Sequence, residues 1–324
     1  MSVSTENVLE SIAGELQEFE RRLHDAAVGD LGPMADPMQH IVRAGGKRLR
    51  PALVILSAQL GDADEEHMFN LAVGIEFIHT ATLVHDDLID RAPTRRGITT
   101  IHEAVGPNPA IIIGGYYFAK GAHLLASIRD PAIDSMISNT VMTICLGELL
   151  QMTSRCDYDQ SVEDYYLKIE RKTATLLSAC CHCGSVVAGL DETGRETLKR
   201  YGFQLGMAFQ IADDVLDYTA TAAEVGKPVG ADLRQGTVTL PLMYALADPV
   251  NGPRLRRVLD SGGDDDGHYA EVVALVRAST GVERAERDAH RFARLAREEI
   301  TAFPASAPRD TLERICDYVV ERRA

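Results

Sequence analysis

Residues 71–90 read LAVGIEFIHTATLVHDDLID, an apolar run from Leu71 to Val84 that ends on three carboxylates, Asp86, Asp87 and Asp90. Apolar residues recur at steps of three and four along the chain, as at Val8, Leu9, Ile12, Leu16 and Phe19, and strand-type alternation is sustained nowhere. In a helix residues four apart stand one above the other, so Asp86 and Asp90 point the same way and Asp87 is turned by about 100°. A counterpart follows at Ala212-Asp213-Asp214-Val215-Leu216-Asp217, again at the end of an apolar helical run. Glycine and proline gather between the periodic stretches, at 29–37, 45–51, 93–97, 106–109, 226–241 and 262–267, and mark loops joining about ten or more helices. With no composition break and no long linker, the expectation is a single all-α domain over residues 1–324.

Three carboxylates within about 6 Å of helical rise repel one another unless cations lie between them. Placed at the end of apolar runs, they are costly without compensation. Hard oxygen donors of this kind suit Mg²⁺, which takes one or two carboxylates and fills its shell with phosphate oxygens and water. A solvated acidic face would explain one such cluster; two, each trailing an apolar helix, point to metal binding.

The chain carries 33 Lys and Arg against 48 Asp and Glu, a formal net charge of −15, which excludes general nucleic-acid binding. Its cations nevertheless gather near the aspartates. Gly45-Gly46-Lys47-Arg48-Leu49-Arg50-Pro51 precedes the first triplet, Arg95-Arg96-Gly97 follows it, and Gly226-Lys227-Pro228 follows the second. Arginine offers planar paired donors for phosphate oxygens, and glycine-started turns turn backbone amides toward an anion. The arrangement predicts two diphosphate pockets with bridging magnesium.

No run of about 18 apolar residues reads as a membrane span. Met1–Glu10 holds two Glu and no basic residue, so no signal peptide is expected and the cytoplasm is the expected compartment. Cys180, Cys181 and Cys183 cluster around His182, but no second ligand pair at zinc spacing is visible, and small buried helix residues are the expectation. The acidic Ser261–Gly267 loop does not place ligands at calcium-loop positions.

As a set the motifs resemble the trans-polyprenyl diphosphate synthases, the head-to-tail isoprenyl chain-elongating enzymes. The likeness runs from about Gly45 to Leu242 and rests on GGKRLRP (45–51), EFIHTATLVHDDLID (76–90), RRG (95–97), KTATL (172–176), and FQIADDVLDY with GKPVGADLRQG (209–218, 226–236). The resemblance implies an all-helical isoprenoid synthase-type bundle around a deep central cavity, with the two Asp-rich helices facing across its mouth. It implies that Asp86 and Asp90 bind two Mg²⁺ on the allylic diphosphate and Asp213 a third, with Asp87, Asp214 and Asp217 in support. By the same resemblance Lys47, Arg50, His79 and Arg96 hold isopentenyl diphosphate, and Arg95, Lys172, Thr173, Gln210 and Lys227 surround the allylic diphosphate. A homodimer is implied too, as is transient contact with a membrane to release a long apolar product.

Two positions depart from the family pattern. Thr237 stands in Gly236-Thr237-Val238-Thr239-Leu240-Pro241 where the family commonly has lysine, and Gly115 stands where an aspartate is often found. Gln151 matches a family polar position on a cavity-lining helix, with a capping or inter-helix hydrogen bond as the alternative, whereas for His85 a backbone hydrogen bond is the expected role. Thr82 and Ala81, four and five residues before Asp86, fall about 6–7.5 Å further down the helix. Short-chain relatives have a bulky aromatic floor near there; here both residues are small, with Ile78 and Ile75 deeper as a gate. A medium- to long-chain product is therefore expected. The alternatives are a geranylgeranyl- or farnesyl-type synthase, a terpene cyclase, a non-catalytic partner subunit and a helical scaffold. The second Asp triplet and the Lys47/Arg50 cations argue against the cyclase; the presence of both triplets argues against the non-catalytic subunit.

Overall fold

The computed structural model describes residues 5–27, 41, 45–95, 97–220 and 230–322. Thirteen helices of seven or more residues are found among them: α1 (Ala13–Ala27), α2 (Leu49–Ala58), α3 (Glu65–Ile89), α4 (Pro107–Ser127), α5 (Pro131–Thr153), α6 (Val162–Ile169), α7 (Thr175–Val187), α8 (Glu192–Thr219), α9 (Leu240–Leu246), α10 (Gly252–Asp260), α11 (Asp266–Ala278), α12 (Gly281–Ile300) and α13 (Ala307–Glu321). The expected all-α architecture is present. Its one addition is an antiparallel pair, β1 (Thr94–Arg95) and β2 (Ile98–Thr99), too short to leave a periodic signal in the sequence. No helix among the described residues is long and apolar enough to cross a membrane.

Helix starts follow local chemistry. Asp64 caps α3 by accepting from His67 N at 2.9 Å. Ser161 and Asp164 form a reciprocal capping box on α6. Asp130 caps α5 ahead of Pro131, whose missing N–H costs nothing in the first turn.

Apolar side chains form two packed clusters. One joins α1–α5, α7, the end of α12 and α13; the other joins α6 and α9–α12. Helix α8 runs through both, giving Leu198, Tyr201 and Leu205 to the first and Met207, Ile211 and Val215 to the second. Helix α7 is buried almost throughout, with Cys180, Cys181 and Cys183 fully enclosed as free thiols. Several helices touch backbone to backbone, and two of these contacts bear on the site. A Cβ on Gly206 of α8 would lie 2.5 Å from Ala174 Cα, and one on Gly121 of α4 would lie 2.6 Å from Gly74 O of α3. These contacts lock α8 against the α6–α7 junction and α3 against α4, which fixes where both aspartate-bearing helices end.

Candidate active site

The first triplet closes α3, with Asp90 as its C-cap. Carboxylates at a helix C-terminus oppose the helix dipole and need cations nearby. Arg95 on β1 donates through Nε to Asp87 Oδ1 at 2.7 Å, and Arg155 donates to Asp90 Oδ1 at 2.5 Å. Asp87 is 2% exposed, and burial raises its pKa against the pull of Arg95. Asp86 has no ion-pair partner among the described residues. Burial pushes its carboxyl up to about 6, with Lys172 opposing and Glu148 adding to the rise.

The second triplet, near the end of α8, divides its labour. Asp213 is the open member and pairs with Arg322 Nη2 at 2.5 Å. Asp214 is buried and accepts from Tyr165 Oη at 2.6 Å and from Gln210 Nε2 at 2.8 Å. Burial carries it to about 7, although both bonds favour its charged form. Asp217 turns its carboxylate to backbone, accepting from Ala231 N at 3.0 Å and Asp232 N at 3.2 Å. It therefore anchors the turn that leads into the Ala231–Arg234 helix.

Between the triplets the backbone passes through a π-turn, Glu170–Ala174, a device common at functional sites. It presents Lys172, paired with Glu148 Oε2 at 2.6 Å, and Thr173, whose hydroxyl donates to Gln210 Oε1 at 2.7 Å. A cavity of about 190 Å³ is bordered by Asp90, Lys172, Thr173, Gln210, Asp214 and Thr237, with Gln151 on its wall. Both triplets thus contribute to one pocket. A second cavity, of about 420 Å³, brings together Lys47, Arg50 and His79 with Asp213, Phe209 and Arg322. Arg50 is half-buried there, its Nε is buried without a hydrogen-bond partner, and burial lowers its pKa. That is a donor prepared for an anion.

Arg96 and Lys227 lie outside the described residues. Ile78 and Ala81 are each 2% exposed and Thr82 is half-buried; none borders either cavity. Their flank of α3 turns toward α4, where Ile78 meets Gly121. On the same flank His85 approaches Ile111 O at 3.4 Å and fills the space beside Gly114, the backbone role expected of it. Gly115 opens onto free space.

Several site residues escaped the reading of the sequence: Glu148, Arg155, Tyr165, Lys168 and Arg322. A signal existed for two of them. Tyr165, Lys168 and Lys172 are spaced three and four residues apart, one stripe of a helix.

The polyprenyl synthetase family model matches residues 33–276. Heptaprenyl diphosphate synthase component 2 of Geobacillus stearothermophilus is 35% identical over 313 residues, covering 96% of this chain and 97% of that one. Nonaprenyl diphosphate synthase of Mycobacterium tuberculosis is 36% identical over 293 residues, covering 89% and 87%. Among solved structures, a polyprenyl synthase from Caulobacter crescentus, complexed with calcium and isoprenyl diphosphate, superposes with a TM-score of 0.93 at 32% identity, covering 100% of this chain and 99% of that one. With its two aspartate triplets meeting at one pocket, the chain belongs to the polyprenyl synthetase family of trans-prenyltransferases.

Proposed function

We propose that the chain, one helical unit over 1–324, condenses isopentenyl diphosphate with an allylic diphosphate in a Mg²⁺-dependent reaction and builds a medium- to long-chain all-trans product. The observation that carries this reading is the shared pocket: Asp90 and Asp214 border it together with Lys172, Thr173 and Gln210, and a second, cationic cavity adjoins Asp213. The heptaprenyl and nonaprenyl names of the two relatives support a long product over a short one.

The donor set fits a divalent ion bound with its substrate. Asp86 offers a half-buried carboxylate with no ion-pair partner among the described residues, one helical turn before Asp90. No three His, Cys, Asp or Glu among the described residues converge into a cage of their own, so phosphate oxygens and water would complete the shell of each ion. Asp86, Asp90 and Asp213 would hold the three ions, and Asp87, Asp214 and Asp217 would support them. The ions' contribution when bound is to neutralise charge on the departing diphosphate.

The chain's own groups do the rest. Lys172, Thr173 and Gln210 hold the allylic diphosphate, with Arg95 and Lys227 alongside. Lys47, Arg50, His79 and Arg96 hold isopentenyl diphosphate so that its double bond faces the carbon losing its leaving group, a gain from orientation. Their positive charge is aligned before the C–O bond breaks, so little reorganisation opposes the reaction. Apolar walls keep water from the allylic cation.

A second copy of the chain is the proposed partner. Helix α5 exposes Met142, Leu146 and Leu149 at 57%, 51% and 57%, one stripe at helical spacing, and α4 adds Ile112 at 72%. The "component 2" in the name of the Geobacillus relative raises a different subunit as the competing occupant. We place the enzyme in the cytoplasm, where its six free cysteines would stay reduced.

Incubating the purified protein with labelled isopentenyl diphosphate, allylic primers of increasing length and Mg²⁺, then sizing the dephosphorylated products, tests the proposal. Products of about six to ten isoprene units support it. Products ending at four or fewer units would support the short-chain alternative, and absence of any product in the presence of metal would overturn the reaction.

A further inference from the structure

The cations at the mouth of the site are nearly all committed to carboxylates. Lys172 pairs with Glu148, Arg95 with Asp87, Arg155 with Asp90 and Arg322 with Asp213. Lys168 is different. It stands at the end of α6, one turn before Lys172, and is 8% exposed. Its ammonium donates to two neutral oxygens, Gln160 Oε1 and Ser154 Oγ (3.4 Å), and no carboxylate comes within 4 Å among the described residues. Asp214, Asp164 and Asp157 favour its charged form from beyond ion-pair distance, but burial outweighs them and lowers its pKa, so an anion in direct contact would stabilise the ammonium.

Its location says where that anion would lie. Lys168 borders the same cavity as Lys172, Thr173, Gln210 and Thr237. Thr237 is where family members commonly carry lysine; here that side chain brings no charge, while a buried lysine enters the pocket from α6. Asp214 is the foremost of those carboxylates, but Tyr165 and Gln210 bond its two oxygens and it does not pair with Lys168 directly.

Building on the proposed condensation, we propose that Lys168 is a binding residue for the allylic diphosphate, supplying from α6 the positive charge that position 237 lacks. The ammonium exchanges its neutral partners for phosphate oxygens when substrate enters, and the loop holding Ser154 and Gln160 keeps it aimed until then.

The test uses the full-length enzyme with saturating Mg²⁺, a farnesyl diphosphate primer and isopentenyl diphosphate. Lys168→Met should raise the KM for primer about tenfold or more, the loss expected of a charge-assisted bond, with the KM for isopentenyl diphosphate within about twofold. Lys168→Arg should stay within about threefold of the native enzyme. Adding Thr237→Lys to Lys168→Met should recover most of the lost primer affinity, which a purely structural lysine would not permit. Should the methionine variant not fold, as read by thermal melting, Lys168→Gln keeps polar contact with Ser154 and Gln160 and carries the same expectation. A primer KM unchanged within twofold, equal rises in both KM values, or no recovery with Thr237→Lys would each overturn the assignment. Native enzyme that elongates no primer would instead sink the underlying reaction.

Discussion

Tyr165 Oη donates to Asp214 Oδ2 at 2.6 Å, and neither residue is more than 3% exposed. The phenol holds the ionised form of a carboxylate that burial pushes up to about 7. Because this folded-state value lies above the unfolded one of about 3.9, the group's contribution to stability is full below about pH 4 and is lost as pH rises through about 7. Removing the phenol raises the carboxyl further. Tyr165→Phe should therefore cost more stability at pH 8 than at pH 5, by about 1 kcal/mol, in urea melts with a chelator present. Equal losses at the two pH values would show that the bond does not depend on the charge of Asp214.

The same carboxylate sets stability against activity. Asp214→Asn abolishes a buried negative charge, so the metal-free protein should melt a few degrees higher at pH 8 and gain less at pH 5. In steady-state assays the rate should fall by about a hundredfold or more, since the side chain is proposed to support the metal site. A variant that melts lower at pH 8 would mean that the charge of Asp214 is compensated in the folded protein.

Gly206 decides how close α8 comes to the π-turn that carries Lys172 and Thr173. An added Cβ would sit 2.5 Å from Ala174 Cα, a backbone atom that cannot swing aside. Gly206→Ala should cost about 1–3 kcal/mol of stability and raise the KM for the allylic primer, because the Thr173–Gln210 bond spans this contact. Calorimetry and primer titration on one preparation check both effects. A stable variant with native KM would show that the helices can separate without disturbing the site.

The helical period and the two triplets were legible because they are local: residues four apart must share a face, and apolar spacing reports which face is buried. The contacts that complete the site were not legible. Arg322 reaches Asp213 across 109 residues, Arg155 reaches Asp90 across 65 and Tyr165 reaches Asp214 across 49. Pairings of that kind are produced by tertiary approach and leave no spacing to read. Asp217 shows the converse: it matches Asp90 in the motif, yet the chain leaving α8 turns back and occupies its oxygens with Ala231 N and Asp232 N. Motif position located the carboxylate but could not reveal the backbone that engages it.

The apolar stripe on α5 should hold two copies together. Met142→Glu combined with Leu146→Glu places two charges where a second chain would bury them, and an unpaired buried charge is strongly unfavourable. Light scattering should find the native protein dimeric and the double variant monomeric, with little change in helicity. A native monomer that assembles only with a different subunit would instead favour the two-component reading.

Product length is proposed to turn on Ala81. It lies five residues before Asp86, about 7.5 Å further down α3, and is 2% exposed on the flank that faces α4. In the proposed reaction the growing chain starts at the Asp86 end and passes along this flank, where α3 and α4 would have to part to give it room. Ala81→Phe would fill that room, and because Phe77 and Tyr117 already stack at 5.5 Å nearby, the new ring has no free volume to retreat into. The expected result is a product shorter by one or more isoprene units, with the KM for the primer little changed, read by chromatography of the dephosphorylated alcohols. If Ala81 serves only to pack α3 on α4, the same variant should lose about 1–3 kcal/mol of stability while its products keep their length. Measuring melting and product size together therefore separates a wall of the elongation tunnel from an ordinary helix contact.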